Sequence, residues 1–393
     1  MRKKILMAAL LLATALYATA CGKETETPAD VPEGSPSVEA PSSEPGTQDP
    51  TEEASGAASE AAALEAAAKA AEEEADTCYE VGRVYLYGLD GHKIDLEAAC
   101  ASFEKALELG KTEANFYLGV LYDWYGYPEK NFEMARVYYE AAGDDPYAWL
   151  SLGFLYYNGQ GVEEDTAKAQ ELFEAVIAKG CKEGYLGRGA IAVTDEDCET
   201  ALEYYKKALE GEEQIYIAAA MYDIAYIYFS GQGVEQDYAK ALEWFEKSAD
   251  LGYSAAMNGI GYMYHYGEGV EQDFTKALEW LEKSADLGDS TAMINIASMY
   301  ENGEGVEQDF TKAIEWYEKS ADLDNTDAMG SLGIYYLATQ KYAKALGWFE
   351  KAADLGNADA MDVIAYMYEN GIGVARNSEK AQEWHDKAED ARK

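Results

Sequence analysis

The sequence is short of positive charge. Its 393 residues include 31 Lys and Arg against 74 Asp and Glu, which gives a formal net charge of −43. A surface this acidic repels the phosphates of nucleic acids and of anionic lipid headgroups, so we expect neither as a partner. Two interpretations of the charge remain open: it solvates the exterior, or it attracts a basic partner.

Histidine is equally scarce, and this argues against a metal site. His92, His265 and His385 lie far apart in the chain, with no carboxylate or cysteine at ligand spacing. The acidic loop 268–273 lacks the alternating ligands and the closing Glu of a calcium loop. We therefore expect no metal and no other cofactor.

Long apolar runs are absent except near the start of the chain. Basic residues at 2–4 precede an apolar stretch at 5–17, which is too short to span a bilayer comfortably and has the layout of a signal peptide. The small residues at 18–20 before Cys21 resemble a bacterial lipobox, which implies that residues 1–20 are removed and that Cys21 carries a lipid. Cleavage by the ordinary signal peptidase is the alternative. We expect a protein held at the outer face of a bacterial membrane, in the cell envelope, by this lipid alone.

Proline is concentrated in one region, where six of the eight prolines lie between residues 28 and 50. This stretch, rich in Glu, Ser, Thr and Gly, cannot bury enough apolar surface to fold. We expect a disordered linker over 21–58. Residues 59–75 are rich in Ala and Glu, with Glu65 and Lys69 one helical turn apart, and predict a helix that extends the first repeat or caps the stack.

From residue 76 to 393 the sequence is repetitive. The motif Gly-x-Gly-Val-Glu-Gln-Asp begins at Gly231, Gly267 and Gly303, a step of 36 residues. A period of this size indicates stacked supersecondary units that bury their apolar faces against one another. We place nine units at roughly 76–110, 111–144, 145–180, 181–213, 214–252, 253–288, 289–324, 325–356 and 357–393.

Each unit has the pattern of two helices, A and B, joined by a loop. Helix A carries a small residue where a neighbouring helix must come close: Gly82, Gly119, Gly153, Gly187, Ala225, Gly261, Ala297, Gly333 and Ala365. Helix B begins at a side chain able to cap its free N–H groups: Asp95, Asn131, Asp165, Asp197, Asp237, Asp273, Asp309 and Asn377. The unit 325–356 alone departs, with Lys341 at the cap, and it is also the unit that we find to lack the Gly-x-Gly loop.

The best repeat resembles a known family. Unit 253–288 carries the pattern on Ala256, Gly261, Tyr264, Gly267, Gly269, Val270, Asp273, Lys276, Ala277, Trp280, Lys283 and Ala285. It is similar to the Sel-1-like repeat, a relative of the tetratricopeptide repeat. The resemblance implies an all-α fold, an α/α solenoid (a right-handed superhelix) of about nine helix-turn-helix repeats over 76–393. It also implies scaffold or adaptor work in protein complexes.

Catalytic motifs are not convincing. Ser102 and Lys105 match the Ser-x-x-Lys pattern of penicillin-interacting enzymes, but they occupy ordinary repeat positions, and no Ser-Asp-Asn or Lys-Thr-Gly accompanies them. We expect that the protein is not an enzyme. The cysteines other than Cys21, at Cys78, Cys100, Cys181 and Cys198, fall near opposite ends of antiparallel helices and are expected to be buried and unpaired.

A stripe along helix A is the candidate binding site. Residues three before, one after and five after the small position share one face, which lines the concave side of a solenoid. Tyrosines beside Asn and Asp on that face suit recognition. The candidate partner-binding residues are Tyr222, Tyr226, Asn258, Tyr262, Tyr266, Asn302, Asp362, Tyr366 and Asn370. The alternative is that these side chains pack against the next repeat.

Three functions follow from this organisation. The leading hypothesis is an extracytoplasmic scaffold or adaptor that binds a protein or peptide, with the acidic surface attracting basic ligands. The second is a cell-wall glycan-binding or exopolysaccharide-export accessory protein. The third, a β-lactam-interacting hydrolase, is disfavoured because no set of nucleophile, base and orienting group can be assembled.

Overall fold

The computed structural model describes residues 50–89, 92–127 and 130–392, with side chains from residue 68 onwards. The predicted signal peptide, the lipidated Cys21 and most of the predicted linker lie outside the described residues. The described chain divides after Asp145 into two compact units.

The first unit contains four α-helices and one π-helical turn. They are α1 (Pro50–Tyr87), α2 (Leu96–Glu108), α3 (Ala114–Val120), the π-helical turn (Leu121–Tyr125) and α4 (Phe132–Ala141). Helix α1 is continuous through 59–75, so the Ala/Glu segment extends the first repeat helix. The helix already begins at Pro50, inside the segment 21–58 that the sequence assigned to the linker.

The second unit contains fourteen helices in consecutive A–B pairs. They are α5 (Pro146–Asn158), α6 (Thr166–Ala178), α7 (Gly184–Thr194), α8 (Cys198–Ala208), α9 (Gln214–Ser230), α10 (Tyr238–Asp250), α11 (Ser254–Tyr266), α12 (Phe274–Asp286), α13 (Ser290–Asn302), α14 (Phe310–Ala321), α15 (Thr326–Ala338), α16 (Tyr342–Asp354), α17 (Ala358–Asn370) and α18 (Ser378–Ala391). Each helix packs against the next along the chain. The described residues contain no strand, and the all-α repeat fold is confirmed.

Helix B begins at the predicted caps. The carboxylate of Asp273 accepts hydrogen bonds from the backbone N–H groups of Thr275 and Lys276, both at 3.1 Å. The same side-chain cap occurs at Asp95, Asn131, Asp165, Asp197, Asp237, Asp309 and Asn377. Lys341 provides none. Gly267, just past helix A, has a φ of 73°, the left-handed geometry that glycine adopts without strain.

The small residue on helix A is where helix B comes close. A Cβ added at Gly333 would lie 2.5 Å from Cε1 of Phe349, so no larger side chain fits there without a shift. The two helices of a pair are antiparallel, because Ser284 near the end of α12 donates a hydrogen bond from Oγ to the carbonyl of Ser254 at the start of α11, at 2.8 Å. These contacts place apolar rings of helix B against bare backbone of helix A.

The unit 181–213 corrects two predictions. Residues 195–197 alone join α7 to α8, as residues 339–341 join α15 to α16, so the prediction that 325–356 alone lacks the Gly-x-Gly loop is wrong. The prediction that Gly187 is the small residue facing helix B is also wrong.

Within that unit, Gly189 rather than Gly187 meets helix B. A Cβ at Gly189 would collide with the ring of Tyr205 on α8, whereas one at Gly187 would collide with Phe173 of the preceding repeat. The residue of helix A that meets helix B is therefore two positions later than the repeat alignment predicted. This repeat lacks the loop glycines that fix the alignment in the others.

The cysteines of the described residues are free thiols. Cys100 and Cys198 are buried, but Cys78 and Cys181 are half-buried. The prediction that all four are buried is therefore wrong for Cys78 and Cys181. No helix in the described part of the chain has the length and apolar character to cross a membrane.

Candidate functional site

The predicted stripe forms three rows on the helix A face of the second unit. We name them by position relative to the small residue: the inner row lies three before it, the middle row one after and the outer row five after. Exposure increases from the inner to the outer row. The stripe therefore divides into residues that pack between repeats and residues that face solvent.

Tyr222, in the inner row, packs inside the protein. Its ring centroid lies 5.6 Å from that of Phe245 on helix B and 5.5 Å from that of Tyr253 in the next repeat. Burial raises the pKa of its hydroxyl well above the ordinary value. For this residue the structure matches the packing alternative.

The other inner-row candidates are held by polar contacts, Asn258 to the next repeat and Asp362 within its own repeat. Asn258 accepts a hydrogen bond at 2.8 Å from the side-chain amide of Asn295, which lies one repeat further on. Asp362 lies 2.9 Å from Nδ1 of His385 and 2.5 Å from a guanidinium nitrogen of Arg392. Although Asp362 loses some hydration, these partners lower its pKa below the ordinary value. Both side chains already have partners in the folded chain.

The middle and outer rows contain the exposed candidates. Tyr262, Tyr266 and Tyr366 are 40%, 57% and 54% exposed. Asn302 and Asn370 are also exposed, and each donates its amide one helical turn back: Asn302 to Oγ of Ser298 at 3.3 Å, and Asn370 to the carbonyl of Tyr366 at 2.9 Å. These five residues are the part of the predicted site that a partner could contact.

Aromatic rings connect two repeats along this face. The ring of Tyr226 lies 6.5 Å from Phe229, Phe229 lies 5.8 Å from Tyr262, and Tyr262 lies 4.4 Å from Tyr266. Phe229 was not among the predicted residues; it lies four positions after the small residue, outside the three rows, and its ring lies between those of Tyr226 and Tyr262. Tyr222, which packs between repeats, contacts Tyr226 and so anchors this series of rings, whose other end at Tyr266 is exposed.

The repeat 325–356 adds an exposed position that is not among the predicted residues. Its middle-row residue is Ile334, which is 62% exposed, and beside it lies a cleft of about 470 Å³. Phe310 and Tyr335 form an apolar wall of this cleft, with ring centroids 6.4 Å apart. The position is aliphatic rather than aromatic, and only the structure shows that Ile334 is exposed.

The lysines of helix B are held over aromatic rings. In the Trp-x-x-Lys pattern, Nζ of Lys283 lies 4.0 Å from the ring centroid of Trp280, three residues earlier on the same helix, and Nζ of Lys319 lies 3.8 Å from that of Trp316. The same contact recurs at Lys247, Lys351 and Lys387. These cation–π contacts fix the few positive charges at the repeats' own rings, while the acidic residues remain in excess.

Two histidines contact carboxylates that the spacing did not reveal. Nε2 of His265 lies 2.8 Å from Glu304 in the loop of the next repeat, and His385 lies beside Asp362. Each contact joins one ring to one carboxylate. Across the described residues, no three or more His, Cys, Asp or Glu side chains are grouped as a metal ion would require.

Nine segments of the chain match the Sel1 repeat family: 75–111, 112–147, 146–181, 184–212, 218–253, 254–289, 290–325, 327–357 and 358–391. The number agrees with the nine predicted units. An uncharacterized protein of Neisseria meningitidis is 31% identical over 38% of this chain and 33% of its own length. A component of an ERAD-associated E3 ubiquitin-protein ligase of Arabidopsis thaliana is 36% identical over 23% of this chain and 14% of its own length.

The chain thus spans a third or less of the length of these two relatives. Among solved structures, a protective antigen of uropathogenic Escherichia coli is 29% identical, over 81% of this chain and 77% of that one, with a TM-score of 0.41. A Sel1 repeat protein of Oxalobacter formigenes is 26% identical, over 71% and 99%, with a TM-score of 0.45. Because Sel1 repeats cover the chain from residue 75 to 391, the protein belongs to the Sel1 repeat family, whose solenoids generally serve as protein-interaction scaffolds.

Proposed function

We propose that this protein is a scaffold that binds a protein or peptide partner through the middle and outer rows of the stripe. The observation that carries the proposal is the exposure of Tyr262, Tyr266 and Tyr366 in a fold whose other rings are mostly covered. A tyrosine fixed at its base and open at its hydroxyl end offers a partner rigid apolar area and a hydrogen bond at small entropic cost.

The charge of the chain supports a basic partner. With a net charge of −43, the surface attracts cationic segments and raises their rate of encounter. Because such steering acts between solvated charges, it weakens as ionic strength rises. We therefore expect partner binding to weaken as salt is added.

Site-specific photo-crosslinking in the full chain tests the proposal. A benzophenone side chain at position 262 or 366 should give one protein adduct, because both positions face the partner. Leu251 and Leu355 are matched controls, since both are exposed apolar residues outside the stripe, and should give no such adduct. The adduct formed from position 262 should decrease when Tyr266 is changed to Ala.

Two outcomes contradict the proposal. Equal adducts from the stripe and control positions would mean that contact is unspecific. An adduct that a glycan hydrolase removes and a protease does not would favour the glycan-binding function instead.

We also propose that the scaffold works on the outer face of a bacterial membrane, held by a lipid on Cys21. The support is the pattern of residues 2–21 in the sequence. A labelled fatty acid should be incorporated into the chain in cells and lost in Cys21→Ala. Equal labelling of both chains would contradict the anchor while leaving the binding site untouched.

A further inference from the structure

In most repeats of the second unit, the Gly-x-Gly loop covers the start of the preceding helix B. A Cβ added at Gly305 would lie 2.5 Å from Cβ of Phe274, the first residue of α12. Gly269 and Gly373 meet Tyr238 and Tyr342, the first residues of their preceding helices, in the same way. The loop backbone therefore lies directly against the first residue of each of these helices.

The unit 325–356 cannot make this contact, because residues 339–341 replace the loop. The residue that the loop would have covered is Phe310, the first residue of α14. Phe310 is 44% exposed, whereas Tyr238 and Phe274 at the equivalent position are half-buried. The missing loop thus leaves a ring uncovered.

The space left by the loop is the cleft of about 470 Å³ described above. Phe310, Tyr335 and Ile334 supply its apolar walls, and the nearly buried Tyr317 lies below them. Its volume is at the lower end of the range of small ligand sites, so it suits one or two side chains rather than a whole domain.

A carboxylate lies at the side of this apolar cleft. Tyr317 donates a hydrogen bond from its hydroxyl to Glu301 at 3.0 Å, which orients the carboxylate within the lining. The lysines of the same repeat are directed elsewhere, since Nζ of Lys312 lies 5.0 Å from the ring centroid of Tyr300 and that of Lys319 lies over Trp316. Charge complementarity at the cleft therefore favours a cation.

We propose that the cleft between 289–324 and 325–356 receives a large apolar side chain of a partner segment whose neighbouring residue is Lys or Arg. The apolar side chain covers Phe310 as a loop does elsewhere, and the cation faces Glu301. Ile334 lies in the middle row, so the cleft is continuous with the stripe. This inference rests on the proposed function and gives the chemistry of its partner.

The second short unit shows why a missing loop alone is insufficient. Residues 195–197 also replace a loop, and the residue at the start of the preceding helix B is Thr166. A threonine offers little apolar area to a partner. The inference therefore depends on Phe310 as well as on the short connection.

Defined peptides test the proposal on the full chain. The probe is a dye-labelled lysine–phenylalanine–lysine peptide flanked by glycines, with one control in which alanine replaces phenylalanine and one in which glutamate replaces both lysines. Fluorescence anisotropy at low salt should show at least tenfold weaker binding for each control.

Three variants locate the site. Replacing residues 338–341 by residues 302–309 restores the loop of the neighbouring repeat and should weaken binding at least tenfold. Phe310→Thr copies Thr166 and should do the same. Ile334→Ser changes an exposed side chain without disturbing the fold, so it keeps the test valid if the loop graft is poorly folded by circular dichroism.

Distinct outcomes overturn the inference and the proposed function. Unchanged affinity in Phe310→Thr and Ile334→Ser, or equal binding of the lysine and glutamate peptides, overturns the cleft and its stated occupant. The absence of binding by every peptide also overturns it. If the stripe crosslinks remain in these cases, the scaffold function stands; if the crosslinks also fail, the proposed function is wrong as well.

Discussion

Replacing Asp223 by Asn should stabilise the second unit at neutral pH. The carboxyl group of Asp223 lies on α9 with 5% of the residue exposed. Burial raises its pKa to about 8, although the neighbouring Tyr205 hydroxyl partly offsets this effect. The folded chain therefore holds the carboxyl protonated at neutral pH, where an unfolded chain would ionise it.

The size of the effect follows from proton linkage. Because folding raises this pKa from 3.8, the stability associated with Asp223 is fully present below about pH 4 and decreases as the pH rises towards 8. Each pH unit between the unfolded pKa and pH 7 costs about 1.4 kcal/mol, so the free energy of unfolding falls by roughly 4 kcal/mol by pH 7. Asn does not titrate, so the stability advantage of Asp223→Asn should grow by about that amount between pH 4 and pH 7.

Hydrogen exchange of the α9 amides is the suitable assay, because repeat proteins can unfold in parts. Opening free energies would be measured between pH 4 and pH 7 for the wild type and Asp223→Asn. Asp324→Asn is the control: Asp324 is exposed, and its φ of 58° is one that Asn tolerates. Parallel pH profiles for wild type and Asp223→Asn would refute the reasoning, since they would mean that Asp223 is ionised in the folded chain.

Urea denaturation checks two further predictions. Gly333→Val should lower the free energy of unfolding by about 1–3 kcal/mol, because the new side chain collides with Phe349. Gly330→Ala on the same helix meets open space and should raise it by about 0.5–1 kcal/mol. Equal effects of the two substitutions would contradict the close helix contact. Lys341→Asp should raise the free energy of unfolding by about 1 kcal/mol. Asp197 has similar backbone angles in the other repeat with a short connection, and its carboxylate caps the helix by accepting a hydrogen bond from the backbone N–H of Thr200 at 3.1 Å. Asp197→Ala should lose a similar amount, and no change in either would show that these caps contribute little.

The helices and their caps could be predicted from the sequence because their causes are local. An acceptor such as Asp273 caps the N–H groups two and three residues later, and Gly267 ends a helix through its own φ. The prediction needs no knowledge of distant contacts. The misalignment at Gly187 occurred where these local signals were weakest, in a unit with neither the loop glycines nor the usual spacing.

The stripe could be predicted only in part, because its exposure depends on other repeats. Helical spacing places Tyr222 and Tyr262 on one face, but it does not show that Tyr253 of the next repeat covers Tyr222. The inner row is therefore only half-exposed, and Tyr222 packs at a boundary between repeats. Tyr262 lies beyond that boundary and stays exposed.

The cleft was even harder to predict from the sequence, because it too depends on a contact between repeats. Counting the repeat length reveals that unit 325–356 is four residues short, but the consequence appears in the preceding unit, at Phe310. A loop contributes to the covering of a neighbour's helix, so its loss creates a surface that neither repeat encodes alone. In a solenoid, a deletion can therefore supply a binding position without any new residue, provided that the side chain it uncovers is large and apolar. Phe310 meets that condition and Thr166 does not.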